Sequence, residues 1–265
     1  MKALHPAQSP TLYGMSLVLV LVLVLPMIAL ITQGLGGDAL RALSSPATLQ
    51  ALWLSLSTSA LALLVVVVFG TPLSYLLSRS KARWVENLQT LVQLPVVLPP
   101  AVAGVALLST FGQKGLLGPL LHAMELRIVF STAAIVLTSV FVAGPLYVQG
   151  ALNAFSSIDE ELLLVARSMG AKSLRIFWQI ALPLCRPALI SASLLCAARA
   201  LGEFGATLMF AGNLPGRTQT MPLLIYTAME SDFARARTLS LLLLLLSALL
   251  LALSFSLSRK WRVQP

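Results

Sequence analysis

The sequence predicts an all-α protein, a bundle of about six membrane-spanning helices, and three observations lead to this fold class. The 265 residues are 58% hydrophobic and only 10% charged, whereas soluble domains carry about 25% charged residues. Apolar runs follow one another along the chain, each about as long as the roughly 20 residues that cross a bilayer. The segments between these runs are too short for a soluble domain. We therefore predict one polytopic domain.

The predicted spans cover six apolar stretches: 15–33, 50–77, 89–111, 128–150, 188–211 and 237–258. We expect the first to be an uncleaved helix, because only Lys2 precedes it as a basic residue and "TQGLGGD" offers no cleavage site. The predicted organisation is an N-terminal segment 1–47 with the first span, a transmembrane domain 48–258, and a short tail 259–265.

The basic residues predict the orientation of the chain in the membrane. With the N-terminus inside, the cytoplasmic segments hold 11 Lys and Arg residues, the outer segments hold 6, and Arg199 alone lies within a span. This bias predicts that both termini are cytoplasmic. It also accounts for the net charge of +9, so we expect no nucleic acid partner.

No catalytic or metal-binding constellation is found in the sequence. Cys185 and Cys196 are predicted to be small buried hydrophobic residues, and His5 and His122 are isolated in flanking segments. The segment "GAKS" at 170–173 lacks the glycines of a phosphate-binding loop. We expect this chain to bind no cofactor, and any ATP hydrolysis to come from a partner.

The third predicted span contains three prolines in "LPVVLPPAVAG". A proline inside a helix removes a hydrogen bond and clashes with the preceding turn. In a membrane the freed carbonyls need partners from neighbouring helices or from a water-filled cavity. Two interpretations stay open: an ordinary kinked helix, or a helix whose Pro99 and Pro100 line a transport pathway, since broken helices recur in transporters.

The fifth predicted span contains Arg199 and Glu203, four residues apart, so that the two side chains can meet on one helix face. A charged group in mid-membrane costs about 2.5–3.5 kcal/mol. We favour a structural pair, and the alternative is that Arg199 presents positive charge to an anion. Small residues from Gly202 to Thr207 allow close helix packing or a channel wall. The polar segment 221–236 lies either at the outer interface or within the bundle.

Residues 156–187 are predicted to form a capped cytoplasmic helix followed by a second helix that ends at Pro183. Ser157 and Glu160 match a capping box, and Gly170 is expected to stop the first helix in a left-handed conformation. One apolar face is predicted, with Leu163 and Ala166 beside its principal residues Leu162, Val165 and Met169. Because acidic residues at its start disfavour anionic lipid, we predict that this helix docks into a groove on a protein partner.

This segment resembles the EAA loop of type I ABC-importer permeases, and the resemblance extends over residues 48–258. It is carried by Ala166, Gly170, Ala171, Ile180, Leu182 and Pro183. In that family the loop is a coupling helix that inserts into a cytoplasmic ATPase. The resemblance implies the following coupling residues: Glu161, Leu162, Val165, Ala166, Met169, Gly170, Ala171 and Pro183. The chain departs from the family at Leu164, where the family's Glu-Ala-Ala has its glutamate.

A second stretch, "ARALGEFGATLMFAGNLPGRTQTMPLLIY" at 198–226, is similar to molybdate ABC-transporter permeases and more distantly to sulfate permeases. The resemblance implies a homodimeric pore in the bacterial cytoplasmic membrane, two ATPase copies and an extracytoplasmic oxyanion-binding protein. Molybdate, tungstate and sulfate stay open as substrates. The predicted pathway residues are Pro99, Pro100, Arg199, Glu203 and Thr207. The alternative is a secondary anion transporter, a class that usually carries several intramembrane acids and internal repeats.

Overall fold

The computed structural model describes residues 10–34, 39–80 and 82–262, with side chains described for residues 13–34, 39–80 and 82–256. Within these ranges all regular structure is helical, which confirms the predicted all-α class. Lys2 and Lys81, which entered the prediction of orientation, and the last three residues of the predicted tail lie outside the described residues.

Five helices among the described residues are long and apolar enough to cross a membrane. They are α1 (Pro10–Gly34), α3 (Pro46–Arg79), α7 (Thr132–Ser156), the continuous helix Ser173–Leu201, and α13 (Phe233–Arg262). Two short helices, α2 (Ala39–Ser44) and α6 (Gly118–Ala123), precede α3 and α7 respectively. The fourth span runs six residues past its predicted end at 150, because Ala154 and Phe155 are buried in the protein core and the helix does not stop where the apolar run does.

The third predicted span is not one helix. It consists of α4 (Arg83–Val97) and α5 (Pro100–Phe111), which are bent by 117° relative to each other. Leu98 and Pro99 form the break, and both have extended backbones, because a residue that precedes a proline is pushed out of the α region. Pro100 then starts α5 at a position where the missing N–H needs no partner.

The fifth predicted span also differs from the structure. A helix runs from Ser173 to Leu201, and a non-helical break at residues 202–204 separates it from α11 (Gly205–Ala211). The prediction of one helix over 188–211 is therefore wrong at both ends. The break and the bend of the third span lie next to each other, because α5 packs on α11.

Glycines allow α5 and α11 to approach closely. A Cβ atom added at Gly104 would lie 2.5 Å from the Cβ of Met209, and one added at Gly205 would lie 2.6 Å from the Cβ of Pro100. Both distances are far below ordinary van der Waals contact. Small residues at such contacts are what allow helix backbones to pack tightly in membranes.

The helix Ser173–Leu201 passes through Pro183, so the predicted stop at that residue is wrong. It consists of α9 (Ser173–Ile176), a π turn (Phe177–Ala181) and α10 (Leu182–Leu201). In the π turn the N–H of Leu182 donates to the carbonyl of Phe177, five residues back. This wider turn accommodates a proline, which has no N–H to place in the helical ladder.

The polar segment after the fifth span packs into the bundle rather than lying on its outer surface. Its helix α12 (Met221–Ser231) buries Met221 through Leu224 and ends before Asp232, so it is shorter than the predicted 221–236. The N–H of Met221 donates to Ser55 Oγ of α3 over 2.8 Å. Buried residues of α12 form a cluster with residues of α3 and α13.

Candidate functional site

The exposed helix α8 (Glu160–Ser168) begins at Asp159, whose side chain accepts the N–H of Glu161 over 2.9 Å. The predicted capping box of Ser157 and Glu160 is wrong. Ser157 closes the end of α7 instead, where its hydroxyl donates to the carbonyl of Ala154. The physical reason is that α7 extends to Ser156 and has Ser157 as its C-terminal cap, so Ser157 is not available to cap α8. The acidic residues of the first turn suit the positive end of the helix dipole, as predicted.

Gly170 ends α8, and the predicted left-handed stop is confirmed. Its φ is +85°. The Gly170 N–H donates to Arg167 O over 2.9 Å and the Ala171 N–H donates to Ala166 O over 3.0 Å, which together make a Schellman motif. A Cβ atom at Gly170 would meet no atom within 4 Å, so the backbone conformation, and not lack of space, favours glycine here.

Helix α8 has two apolar faces, whereas the sequence predicted one. Leu163 is 4% exposed and packs with Ala166 against the protein core. Leu162, Val165 and Met169 are 45%, 56% and 82% exposed and share one outward face. We call these three residues the exposed stripe. The inward face fixes the helix on the bundle, and the outward face leaves apolar surface without a partner in this chain.

The base of α8 is held by a cluster that sequence reasoning missed. The rings of Tyr75 and Phe155 lie 5.4 Å apart and those of Tyr75 and Phe177 lie 4.9 Å apart, so α3, α7 and the π turn meet here. The Arg79 guanidinium lies 5.8 Å over the Tyr75 ring and donates to the carbonyl of Phe155. Cys185 Sγ also donates, to the carbonyl of Ala154. The sequence offered one signal, Arg79 at the end of the second span, and it entered only the prediction of orientation.

The remaining predicted coupling residues lie near this base. The side chain of Ala171 packs against the same core, and Glu161 is exposed on the first turn of α8. Pro183 is exposed in the first turn of α10 and does not end a helix.

The predicted pairing of Arg199 and Glu203 is confirmed. Arg199 Nη1 lies 2.9 Å from Glu203 Oε2, and the side chains are 38% and 3% exposed. Glu203 lies in the break beyond α10, where its Oε1 accepts the N–H of Ala206 over 3.0 Å. Both carboxylate oxygens therefore have partners. The pair fixes the end of α10 to the start of α11.

A small polar cavity adjoins this pair. Its polar wall contains six hydroxyl side chains and Glu203; the hydroxyls belong to Ser55, Thr58, Ser59, Ser139, Thr207 and Thr220. The cavity has space for about one water molecule. Thr207, a predicted pathway residue, is 1% exposed, and its hydroxyl has no hydrogen-bond partner among the described residues. Sequence reasoning missed the other hydroxyls, although the run "SLSTS" at 55–59 signalled three of them, those of Ser55, Thr58 and Ser59.

The predicted pathway residues Pro99 and Pro100 lie at the bend between α4 and α5. Pro100 faces Gly205 across the contact of α5 with α11. The ring of Phe204, in the second break, lies 5.3 Å from that of Tyr226 on α12. A hydrogen bond to Glu230 raises the pKa of the Tyr226 phenol. The structure thus brings both helix breaks, the ion pair and the hydroxyl cavity into one region.

The comparison with known families decides what this architecture is. Residues 52–263 match the family described as the binding-protein-dependent transport system inner membrane component. The chain belongs to this family. Among its relatives are molybdenum transport system permease proteins of Mycobacterium tuberculosis, 43% identical over 207 residues (78% of each chain), and of Escherichia coli K12, 38% identical over 207 residues (76% of this chain, 90% of the relative).

A further relative is the probable transport system permease protein NifC of Clostridium pasteurianum, 33% identical over 246 residues (92% of this chain, 86% of the relative). The fold is shared with a subunit of a bacterial alginate ABC transporter, with TM-score 0.69, 18% identity and 96% of each chain covered. It is also shared with the methionine ABC transporter MetNI, with TM-score 0.64, 18% identity, and 80% of this chain and 94% of the other covered.

Replacing Gly170 with valine should destabilise the end of α8. A left-handed conformation costs an L-residue roughly 1–2 kcal/mol, and a β-branched side chain fits it worst. We expect Gly170→Val to reach the membrane, since no span changes its hydrophobicity, and to lower the thermal unfolding temperature of the purified protein. Gly14→Val is the matched control, because a Cβ there also meets nothing within 4 Å but the backbone is helical. Equal unfolding temperatures for both variants would contradict this account.

Neutralising Arg199 should reduce expression if its pair with Glu203 is structural. Removing Arg199 leaves the carboxylate of Glu203, which is 3% exposed, without its opposite charge, so we expect Arg199→Gln to lower the membrane level of the protein. The double variant Arg199→Gln/Glu203→Gln should recover much of it, because a glutamine at 203 still offers an oxygen to the Ala206 N–H. Immunoblots of membranes together with substrate uptake provide the measurement. Normal expression with lost uptake in the single variant would instead indicate that Arg199 interacts with the transported anion. Normal expression together with normal uptake would exclude both the structural role and the anion-binding role.

Proposed function

We propose that this chain is the membrane-spanning permease subunit of an ATP-binding-cassette importer that carries molybdate across the bacterial cytoplasmic membrane. A separate ATPase drives transport, and an extracytoplasmic oxyanion-binding protein delivers the substrate. The exposed stripe carries the mechanical part of this proposal. The names of the relatives as molybdenum transport permeases support molybdate as the substrate, with tungstate and sulfate as the alternatives.

The stripe suits a protein groove better than a lipid surface. Its three apolar side chains stand outward on a helix that is already fixed by its other face. Exposed apolar area gains free energy when it is covered, by about 25 cal/mol for each Å². Anionic lipid is a poor partner for this helix, because Asp159, Glu160 and Glu161 lie at its start. Two permease copies would present two such helices to two ATPase copies.

The helix that follows α8 gives a direct mechanical connection to the Arg199–Glu203 region. It runs for 29 residues from Ser173 to Leu201, about 43 Å at 1.5 Å per residue. Its first end packs against the base of α8, and its last turn carries Arg199. A displacement of α8 by the ATPase would therefore reach the break at 202–204. This supports a pathway that passes the two helix breaks, with Pro99, Pro100, Arg199, Glu203 and Thr207 near it.

The alternative of a secondary anion transporter has less support. Such carriers use intramembrane acids that take up and release protons. Among the described residues, Glu203 is the buried acid, and both of its oxygens already have partners.

Acidic substitutions in the stripe test the function. Leu162→Asp and Met169→Asp should abolish co-purification of the ATPase and substrate uptake, because they place a charge in an apolar contact. Leu164→Asp is the matched control, since Leu164 is 59% exposed but lies on the other side of α8, and we expect full complex formation. The measurements are ATPase pull-down and molybdate uptake at matched membrane levels, with tungstate and sulfate as competitors. Unimpaired complexes and uptake in both stripe variants would refute the coupling role.

Single cysteines test the proposed orientation and the proposed homodimer, in a background where Cys185 and Cys196 are replaced by alanine. A cysteine at Ser80 should be protected from impermeant reagents outside whole cells, since basic residues near it and in α8 favour the cytoplasmic side.

Because Thr207 is buried in its own chain, the exposed Met209 on α11 is the better position for crosslinking two copies. We expect crosslinks between two copies at Met209. Labelling of Ser80 from outside, or crosslinks only to a different permease subunit, would overturn the respective proposal.

A further inference from the structure

Helix α4 and helix α7 share a polar face that neither the coupling helix nor the Arg199–Glu203 region uses. Thr90 and Gln93 of α4 lie three residues apart and are neighbours on one side of that helix. Gln93 Nε2 donates to Gln149 Oε1 of α7, and Gln149 Nε2 donates to Asn153 Oδ1 over 2.9 Å. We call Thr90, Gln93, Gln149 and Asn153 the polar face.

The other sides of α4 are mainly apolar, so polarity is not general on this helix. Val85 is buried in a cluster with Leu77 of α3 and Leu152 of α7. Trp84 and Leu91, seven residues apart and therefore on one side of the helix, are 64% and 60% exposed. Asn87, near the start of the helix, is the exception beside them. Helix α4 thus has one side for the protein core, one side that suits lipid, and the polar face.

The depth of Gln93 makes contact with lipid headgroups a poor explanation for the polar face. Gln93 follows Arg83, the first residue of α4, by ten residues, or about 15 Å at 1.5 Å per residue. This is about half of the roughly 30 Å hydrocarbon thickness of a bilayer. Thr90 is exposed and Gln93 is half-buried. Amide and hydroxyl groups in hydrocarbon lose hydrogen bonds that nothing replaces, so this face needs water beside it.

The polar face connects two regions that the proposed transport cycle uses. Asn153 lies in the last turn of α7, close to the start of α8. Gln93 lies five residues before Leu98, where the third span bends. Glu86 extends the polar side to the first turn of α4, and its carbonyl accepts the Thr90 hydroxyl over 3.0 Å. The face therefore runs from the α8 end of the bundle toward the helix breaks, on the outside of this chain.

We propose that the polar face lines the water-filled inner mouth of the transport pathway, between two copies of the chain, and that the oxyanion leaves along it in hydrated form. This inference rests on the proposed function as an oxyanion permease. Amides and a hydroxyl are uncharged, so they hydrogen-bond a passing anion without holding it, and passage requires weak binding. The carboxylate of Glu86 at the rim also has water there. Lipid then covers the side of Trp84 and Leu91.

The test measures water access to single cysteines in the complete importer, in membrane vesicles, with Cys185 and Cys196 replaced by alanine. A charged, membrane-impermeant thiol reagent is applied from one side and then from the other, and Ser80→Cys identifies the α8 side. Thr90→Cys should react at least about tenfold faster than Leu91→Cys, because the thiolate reacts and apolar surroundings suppress it. Leu91 is the matched control, since it is the next residue at the same depth and is 60% exposed.

A second measurement asks whether the water at this face belongs to the pathway. A bulky reagent attached to Thr90→Cys should stop molybdate uptake, and the same reagent attached to Leu91→Cys after prolonged reaction should leave uptake unchanged. Asn153→Cys gives an independent reading at the other end of the face. Gln93→Cys also removes the hydrogen bond to Gln149, so it is used only if the variant assembles.

Three results would overturn the inference. Equal reaction rates at positions 90 and 91 would show that water does not distinguish the two sides of α4. Fast reaction only from the side opposite to Ser80→Cys would place the mouth at the wrong end. Full uptake after modification of Thr90→Cys and Asn153→Cys would separate the polar face from the pathway. Failure of the proposed function looks different, because the unmodified importer would then bind no ATPase or move no oxyanion, whatever the reaction rates.

Discussion

No backbone N–H or C=O group can stay unpaired inside a bilayer, and this constraint governs the part of the structure that matters for transport. Two spans are broken, at Leu98–Pro99 and at residues 202–204, and each break frees backbone groups that need partners. Glu203 satisfies one of them by accepting the Ala206 N–H, and the ion pair with Arg199 holds that carboxylate in place. The breaks are tolerated because they lie together inside protein, where Gly104 and Gly205 let α5 and α11 pack closely.

The other end of the bundle is organised by a different interaction. The aromatic residues Tyr75, Phe155 and Phe177, with Arg79 above them, bind α3 and α7 to the start of the long helix that leads to the breaks. Helix α8 stands on this base through its inward face. In the proposed importer, a force on the exposed stripe would therefore act on this long helix through the aromatic base. The π turn at Phe177–Ala181 lies at the start of the helix, and π turns recur at functional positions in helices.

The polar groups near the breaks share one feature, which is the absence of uncompensated charge. The ion pair is neutral overall, and the remaining groups of the cavity wall are mainly hydroxyls. A strong positive site would hold an anion too tightly for rapid passage. In the proposed importer, selection of the substrate would then rest with the binding protein, and the permease would provide a route without a strong binding site of its own.

The sequence by itself determined the features that depend on local chemistry. Apolar runs specified the first, second, fourth and sixth spans to within a few residues, Gly170 specified the left-handed end of α8, and the spacing of Arg199 and Glu203 specified their ion pair. These succeed because bilayer thickness, backbone sterics and helical periodicity act within a few turns of one helix. The outward residues of the stripe could be predicted for the same reason.

Only the tertiary structure decided the features that depend on distant partners. Because Phe155 is buried, α7 extends to Ser156 and Ser157 becomes its C-terminal cap. Asp159 therefore caps α8 in place of Ser157. The π turn carries the helix through Pro183, which local rules treat as a stop. The breaks in the third and fifth spans meet because α5 packs on α11. The cavity is lined by Thr207, Thr220 and Ser55. Ser55 also accepts a hydrogen bond from Met221, which lies 166 residues further along the chain. Such contacts depend on how the helices pack, and the sequence of one segment does not indicate which distant residues will lie beside it.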